Sequence, residues 1–387
     1  MASTSAPVRD TRPGDARIGI IGAGPGGLTC ARILQRHGIA ATVYERDTDR
    51  QARNQGGTLD LHADNGQIAL REAGLLEAFF ERARPEGQEM REYDATGTLL
   101  MHQVPDADER FKPEIDRGEL RDLLLASLEP GTVQWGRRLK SISEPAAGSS
   151  GGPRTLHFAD GSVAEADLVI AADGAWSRVR QAVSTAAPGY TGVTFLEAWF
   201  DDVETRHPEI AHIVGQGGAH AGDGIRGLFA QRNGGDHIRA YIIQKVPADW
   251  IARAGLSDTD TAGLRSYLLE QFAAWSPELQ RLVAENDGLY VDRPIFALPV
   301  PHDWAHDAGV TLLGDAAHLM PPLGVGVNLA MLDACDLALA LAGNTSLDDA
   351  IHAYEKVMLP RSAEMAAMLD GRAADLAGAM TPDFSAD

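Results

Sequence analysis

The residues that could do chemistry begin with Gly22-x-Gly24-x-x-Gly27. Glycines at this spacing let a backbone turn tightly and approach a pyrophosphate. The third lets a helix pack closely on a strand, and the helix N-terminus then offers amide donors and a positive dipole end to the anion. Glu45 follows at about the twenty-residue offset at which an acid accepts hydrogen bonds from a ribose diol. Two later loops, Asp173-Gly174 and Gly314-Asp315, again set an acid beside a glycine after an apolar run. A chain using a dinucleotide through its first loop alone would not need them. His318, four residues after Gly314, and His62 are read as structural rather than as bases. Cys30 and Cys335 are the only two cysteines, with no C-x-x-C and no histidine cluster at ligand spacing, so neither a disulfide framework nor a metal site is expected.

The elements that must position these loops are legible as patterns. Arg17 to Ile21 reads as a strand stopping at the glycines. Residues 26–38 follow as a helix with Leu28, Ala31 and Leu34 at helical spacing, then Ala41 to Tyr44 as a second strand ending on Glu45-Arg46. This is a β-α-β unit, the start of a parallel sheet in an α/β fold. Residues 119–128 read as helix and 132–144 as extended; 145–153 are a Gly/Ser-rich connection; two strands flank the turn Asp160-Gly161, and 168–172 form a buried strand. From about 185 the pattern alternates, as in 193–200 and in 237–244 after the turn Asn233-Gly234-Gly235-Asp236. Two amphipathic helices follow over 261–275 and 277–286, which implies an antiparallel sheet inserted into the first domain. Parallel-sheet character returns at 310–313, and 326–341 and 347–371 are helical. The expected division is a disordered leader at 1–16, a discontinuous first domain at 17–184 and 292–345, an inserted domain at 185–291, and a bridging helix and tail at 346–387.

Composition narrows the function. The 387 residues are 44% hydrophobic and 23% charged, ordinary globular values. Lys plus Arg at 34 against Asp plus Glu at 55 gives −21, a surface that repels nucleic acid and anionic lipid. The N-terminus lacks the apolar core of a secretion signal, and Asp333 and Asp336 interrupt the longest apolar stretch, so no membrane span and a reducing, cytoplasmic location are expected.

Asp173-Gly174-Ala175-Trp176-Ser177-Arg178-Val179-Arg180 resembles the D-G-x-x-S-x-x-R segment of class A, p-hydroxybenzoate hydroxylase-like flavoprotein monooxygenases, and Gly314-Asp315-Ala316-Ala317-His318-Leu319-Met320-Pro321 resembles their second FAD motif. With the N-terminal fingerprint, the three motifs stand in family order across most of the chain. Glu45-Arg46-Asp47, Arg53, Gly56 to His62 and Pro113-Glu114-Ile115-Asp116-Arg117 are similar to the tetracycline-inactivating branch. The resemblance implies a Rossmann-like, GR2-type FAD-binding domain with an inserted antiparallel-sheet substrate domain and a long C-terminal helix. It implies FAD held tightly without a covalent bond by Gly22, Gly24, Gly27, Glu45, Arg46, Asp60, Arg117, Asp173, Gly314, Asp315, Pro322, Gly326 and Asn328. It places Arg53 where related enzymes meet NADPH. Trp176 and Trp199 are read as core or interface aromatics.

Two departures bear on substrate. The usual P-x-x-G-Q-G-x-N loop here reads Pro322-Leu323-Gly324-Val325-Gly326-Val327-Asn328, keeping the glycine backbone without the glutamine. Glu197 and Arg239 stand where the tetracycline-modifying relatives carry a glutamine and a histidine; with Phe229 and Leu323 they are the substrate candidates. The implied reaction uses NADPH, or NADH, to reduce FAD. The reduced flavin adds dioxygen at C4a, and the hydroperoxide hydroxylates an electron-rich aromatic or enolic carbon of a polycyclic, tetracycline-like or aromatic-polyketide molecule, in antibiotic resistance or antibiotic biosynthesis. No protein group need be catalytic. The alternative is a flavin-dependent dehydrogenase of a related natural product, without oxygen insertion. Isolated tryptophans with no W-x-W argue against a halogenase. The expected partners are the small-molecule substrate and oxygen, and the expected state is a monomer.

Overall fold

A computed structural model describes residues 11–52, 56–143 and 152–377. Arg53, most of the leader, most of the 145–153 connection and the last ten residues of the tail lie outside them.

Five short parallel strands form the first sheet, in the order Val310–Leu312, Leu168–Ala171, Ile18–Ile21, Ala41–Tyr44, Val133–Gln134. Every residue of Ile18–Ile21 and Leu168–Ala171 is buried, as expected of β-branched and small apolar runs in a parallel sheet covered on both faces. Because the strands run the same way and in register, Gly22, Glu45, Asp173 and Gly314 all emerge at one edge, beyond the carboxyl ends. Helix Pro25–Arg36 packs against Gly326–Gly343. The latter is long and apolar enough to cross a membrane, but half of it is buried inside the protein, with Asp333 among its buried residues. Its apolar surface is used in packing. Cys30 and Cys335 are free and buried in the same core.

A three-stranded antiparallel sheet, Val163–Ala166, Arg154–Phe158 and Leu139–Ser143, flanks this core. The large sheet has seven strands in the order Val291–Ala297, Gly189–Phe200, His237–Lys245, Arg226–Asn233, Gly218–Gly222, Met90–Tyr93, Leu99–Gln103. The contiguous 185–291 insertion read from sequence is therefore incomplete. The hairpin at 90–103 enters this sheet through a parallel pairing of Met90–Tyr93 with Gly218–Gly222, and Val291–Ala297 closes its other edge. Residues 90 to 103 carry no alternation that would separate them from the first domain. Their placement depends on a long-range pairing that no local pattern encodes.

The large sheet has two different faces. Leu196, Ala198, Phe200, Leu228, Ala230, Ile238, Ala240 and Ile242 form one core with helices Pro208–Val214, Thr261–Gln271 and Pro277–Ala284. The odd-numbered residues of the central strands, Val193, Phe195, Phe229, Tyr241 and Ile243, join Met320, Leu323, Val325 and Leu329 in a separate apolar cluster on the other face. Period-two alternation thus turns one side of the sheet toward the Met320–Leu329 loop. Helix Leu347–Leu369 touches both regions: Leu347, Ile351, Tyr354 and Met358 join the first core, while Met365, Ala366 and Leu369 reach the apolar cluster.

Candidate active site

The three glycines of the first loop do different jobs. A Cβ on Gly22, at φ +107°, would stand 2.3 Å from the Ala172 carbonyl oxygen, and one on Gly27 would stand 2.1 Å from the Gly22 carbonyl oxygen. Both are required by the packing of this loop on its neighbours. A Cβ on Gly24 would meet nothing within 4 Å, at the N-cap of helix Pro25–Arg36. This open position at a helix N-terminus is a cradle that an anion can approach and a methyl group would fill. Glu45, 5% exposed, accepts from the Ala23 amide at 2.7 Å and the Asp47 amide at 2.9 Å, so its carboxylate also braces the loop it faces. Arg46 is exposed. Arg121, which the sequence reading missed, is 2% exposed. It donates to the Ala23 carbonyl at 3.2 Å and the Arg50 carbonyl at 3.0 Å and lies 5.3 Å over Trp135. Its place four residues after Arg117 on helix Arg117–Ala126 was the available signal.

The second and third loops are tied together. Asp173 accepts from the Arg178 amide at 2.7 Å, and its other carboxylate oxygen is buried without a hydrogen-bond partner among the described residues. Burial pushes this carboxyl above its ordinary range against the hydrogen bonds that lower it. Arg180, 3% exposed, donates to the carbonyls of Ala175 at 2.6 Å and Ala316 at 3.0 Å, bridging the two motifs. Asp315 is exposed at the start of Asp315–His318, and a Cβ on Gly326 would stand 3.9 Å from its carboxylate. Gly314 is held from behind: its amide donates to Asp333 at 3.0 Å, and Asp333 also meets His318 at 2.6 Å and Arg361 at 2.8 Å. Burial drives His318 down, but the Asp333 charge and hydrogen bond more than reverse this and leave it raised. Burial likewise opposes ionisation of Asp333, which its cationic neighbours lower overall. His318 is structural.

Asp60 ends strand Thr58–Asp60, meets His62 at 3.0 Å, and lies 3.9 Å from where a Cβ on Gly324 would stand. Asn328, 1% exposed, accepts from the His62 amide at 2.8 Å and donates to the Asp60 carbonyl at 2.9 Å. Its side chain sews two loops together rather than pointing at a ligand, so any contribution to a cofactor falls to its backbone. Pro322 is exposed beside buried Leu323. Arg117 is exposed at its helix start, its amide donating to Gly57 at 3.0 Å.

Glu197, Phe229 and Arg239 share the odd-numbered face, and Leu323, the fourth substrate candidate, packs on it from the Met320–Leu329 loop. Phe229 stacks on Tyr241 with centroids 6.3 Å apart, and Phe195 lies 5.8 Å from the same ring. Glu197 is paired in register with Tyr241 and meets Arg239 at 3.6 Å and Arg293 at 3.2 Å, while Arg239 lies 4.6 Å over Trp199. Burial raises the Tyr241 phenol above its ordinary value. Gly56 and Gly57 press against this group: a Cβ on Gly57 would stand 3.2 Å from the Tyr241 hydroxyl. Tyr241 and Arg293 were missed, although alternation from Arg239 would have put Tyr241 on the same face. Trp199 is partly buried, as read, but Trp176 is 62% exposed and makes a T-shaped contact with Phe296, centroids 5.0 Å apart. It is therefore not a core aromatic, the first of the two alternatives read from the sequence.

An open glycine at a helix N-terminus, a buried acid at the end of the second strand, an orphaned Asp173 oxygen, and the carboxylates of Asp60 and Asp315, each near one glycine of the Gly324–Gly326 loop, fit an extended dinucleotide with a flat ring at one end. Comparison with known proteins bears on the same region. A model of the FAD binding domain matches residues 15–268 and 298–368. The monooxygenase asqM of Emericella nidulans is 32% identical over 375 residues, covering 84% of each chain. HpxO of Klebsiella pneumoniae, solved with FAD and uric acid, superposes with a TM-score of 0.77 at 24% identity over 96% of this chain and 91% of that one. The tetracycline destructase Tet(55) superposes with a TM-score of 0.71 at 21% identity over 97% and 91%. At that identity the last two bear on the fold.

Proposed function

The chain belongs to the FAD binding domain family and is a FAD-dependent monooxygenase; from that premise we propose that it hydroxylates an electron-rich aromatic or enolic carbon of a flat, polycyclic small molecule, using NADPH and oxygen. The observation that carries this reading is the convergence of Asp60, the Gly324–Gly326 loop and the aromatic face of Phe195, Phe229 and Tyr241 in one place. Gly24 and the amides of helix Pro25–Arg36 would hold the pyrophosphate, and Glu45 the ribose. Asp173 and Asp315 would take up the remaining polar groups of the cofactor, and the loop entering helix Gly326–Gly343 would face its ring. Bound FAD supplies hydride acceptance from the reductant and the activation of dioxygen.

The chain's own residues position, exclude water and manage charge. Met320, Leu323, Val325 and the three aromatic rings exclude water from the reacting face. The amides at the start of helix Gly326–Gly343 offer a positive dipole end to charge developing on the ring. Arg239 and Tyr241 bracket the position where an acidic hydroxyl of the substrate would lie. The second Gly-x-Gly-x-x-Gly, Gly222 to Gly227, spans the turn between the antiparallel strands Gly218–Gly222 and Arg226–Asn233 and opens no helix, which supports a reductant that binds transiently rather than in a domain of its own.

The test is NADPH oxidation and oxygen uptake by the purified flavoprotein over anthraquinones, tetracyclines and simple phenols, with product masses. A product one oxygen heavier, formed with matching oxygen uptake, is expected. Turnover that continues without oxygen and leaves no oxygen in the product would establish the dehydrogenase alternative instead.

A further inference from the structure

Helix Leu347–Leu369 buries one side in the protein and leaves the other open. On the open side Ala353, Val357, Pro360, Glu364 and Ala367 are all exposed. Their spacing of four, three, four and three residues draws a straight seam along the helix, the repeat by which one helix packs on another. Val357 is 54% exposed, and Met368, beside Ala367, is 47% exposed. The neighbouring helix widens the strip. Arg361 meets Asp333 and Asp336 of helix Gly326–Gly343, so one turn further along that helix Leu339, also exposed, stands level with Val357. Single exposed aliphatics need no account, but a row of them along a seam marks an interaction surface. Charge identifies what fits it. The whole chain carries −21, yet from His352 to Met368 the exposed charged residues are one cation, Lys356, and one anion, Glu364. They stand four residues either side of Pro360, and neither has an ion-pair partner among the described residues. A face with opposite charges placed symmetrically about its middle is complementary to itself across a two-fold axis.

We propose that the protein pairs with a second copy of itself through helix Leu347–Leu369, the two helices lying antiparallel and meeting at Pro360, in place of the monomer expected from the sequence. Each Lys356 then faces the partner's Glu364, so one contact supplies two identical ion pairs. Ala353 faces the partner's Ala367, and Val357 covers the partner's Ala363. The small side chains at 353, 360 and 367 let the two helix axes approach closely. A contact built mainly on one helix from each copy is smaller than a standard interface of about 800 Å² per partner, so the dimer is reversible and depends on concentration. The pairing also bears on the chamber. The same helix carries Met365, Ala366 and Leu369 into the apolar cluster around Met320 and Leu323, so a partner braces one wall of each chamber from outside.

The experiment is sedimentation velocity of the full-length, FAD-loaded protein over a wide range of concentration. The mass should rise from one chain to two as concentration increases, and added salt should shift the transition to higher concentration. Lys356→Glu and Glu364→Lys each set like charges against one another and should weaken pairing about tenfold or more. The double variant restores both ion pairs and should pair like the wild type. An equimolar mixture of the two single variants should also recover pairing, because each brings the charge that the other lacks. Val357→Asp should remain a single chain throughout. All the variants should keep wild-type FAD content, which shows that they are folded. A protein that sediments as one chain at every concentration, with the strip left to solvent or to a segment of its own chain, would overturn the proposal. So would a dimer that neither charge variant weakens, which would place the contact elsewhere, for example at the exposed edge strand Leu99–Gln103. Single variants that weaken pairing with no recovery in the mixture would overturn the antiparallel arrangement.

Discussion

The cofactor side and the substrate side of this site are specified in different ways. Around the first loop, geometry is set by main chain: Gly22 against the Ala172 carbonyl, Gly27 against the Gly22 carbonyl, and the Ala23 and Asp47 amides on Glu45. Around the chamber it is set by side chains on alternate positions of a sheet, where Glu197, Arg239, Tyr241 and Arg293 come from three strands. A main-chain cradle tolerates few residue types, because a single Cβ collides with fixed atoms. A side-chain chamber on a regular sheet tolerates many, because the strands pair whatever projects from them. The first can therefore be kept while the second changes, and a family can hold one cofactor and vary its substrates.

The largest expected effect would break that comparison at its root. Gly22→Ala and Gly27→Ala place a methyl carbon 2.3 and 2.1 Å from main-chain oxygens, and Gly22 also has φ +107°. Neither contact can be relieved by a rotamer change, so both variants should lose FAD and melt well below wild type, or fail to fold. Gly24→Ala has no such clash. Its apoprotein should melt with the wild-type apoprotein while its FAD affinity falls at least tenfold, read by flavin content and fluorescence titration. Wild-type FAD binding by Gly24→Ala would show that the open cradle is not where the pyrophosphate lies.

The same difference explains what the sequence revealed. The β-α-β unit, the strand ends carrying Glu45, Asp173 and Asp315, and the long helices were all readable, because glycine spacing, apolar runs and helical periodicity are local. Helix Pro25–Arg36 is close to the expected 26–38, and Leu347–Leu369 to 347–371. The Asn233-Gly234-Gly235-Asp236 turn was read correctly too, since it joins Arg226–Asn233 to His237–Lys245 in an antiparallel pair. The 90–103 hairpin was not readable, because its partner lies more than a hundred residues away in Gly218–Gly222. Arg293 was missed for the same reason, its partner Glu197 being reached through cross-strand register. Arg121 hid within a helix whose visible signal was the apolar stripe Leu120, Leu123, Leu124.

A second prediction tests whether the main-chain side depends on buried charge. Asp333 is 1% exposed and holds the Gly314 amide, His318 and Arg361 together. Removing its charge leaves the buried His318 unpaired and Arg361 with Asp336 alone, so Asp333→Asn should lower stability by about 3–5 kcal/mol, measured by denaturant unfolding. The pH signs follow from the two shifts. His318, raised above 6.5, contributes stability that is complete below that value and is lost as pH rises through its folded pKa. Asp333, lowered below 3.8, contributes stability that is present above that value and is lost as pH falls through its folded pKa. The wild type should therefore lose stability relative to Asp333→Asn at both ends of the range. Parallel curves for the two proteins would mean that the cluster carries no linked charge.

The smallest effect lies where the two sides meet. Glu114 pairs in register with Asp60, accepts from the Thr58 hydroxyl at 2.6 Å, and has the Gln231 amide nitrogen of the large sheet within 3.5 Å. Burial, then the Asp60 charge, pushes its carboxyl up to about 8, against the Thr58 hydrogen bond and the charges of Arg84 and Lys112. A carboxyl raised in the folded state contributes stability that is complete below its ordinary value of 4.5 and is lost as pH rises through about 8. Glu114→Gln, which mimics the neutral acid, should match wild-type stability below about pH 4.5. The difference should grow from there to about pH 8, where the wild type melts progressively lower than the amide variant, and level off above it. Because Glu114 contacts strands from both regions, this pH-dependent loss should also loosen the seam between them. Hydrogen exchange at Thr58–Asp60 and at Arg226–Asn233 should then rise together in the wild type, relative to Glu114→Gln at the same pH, as the pH approaches about 8. A rise confined to one strand would mean that the two sides are mechanically independent at this point.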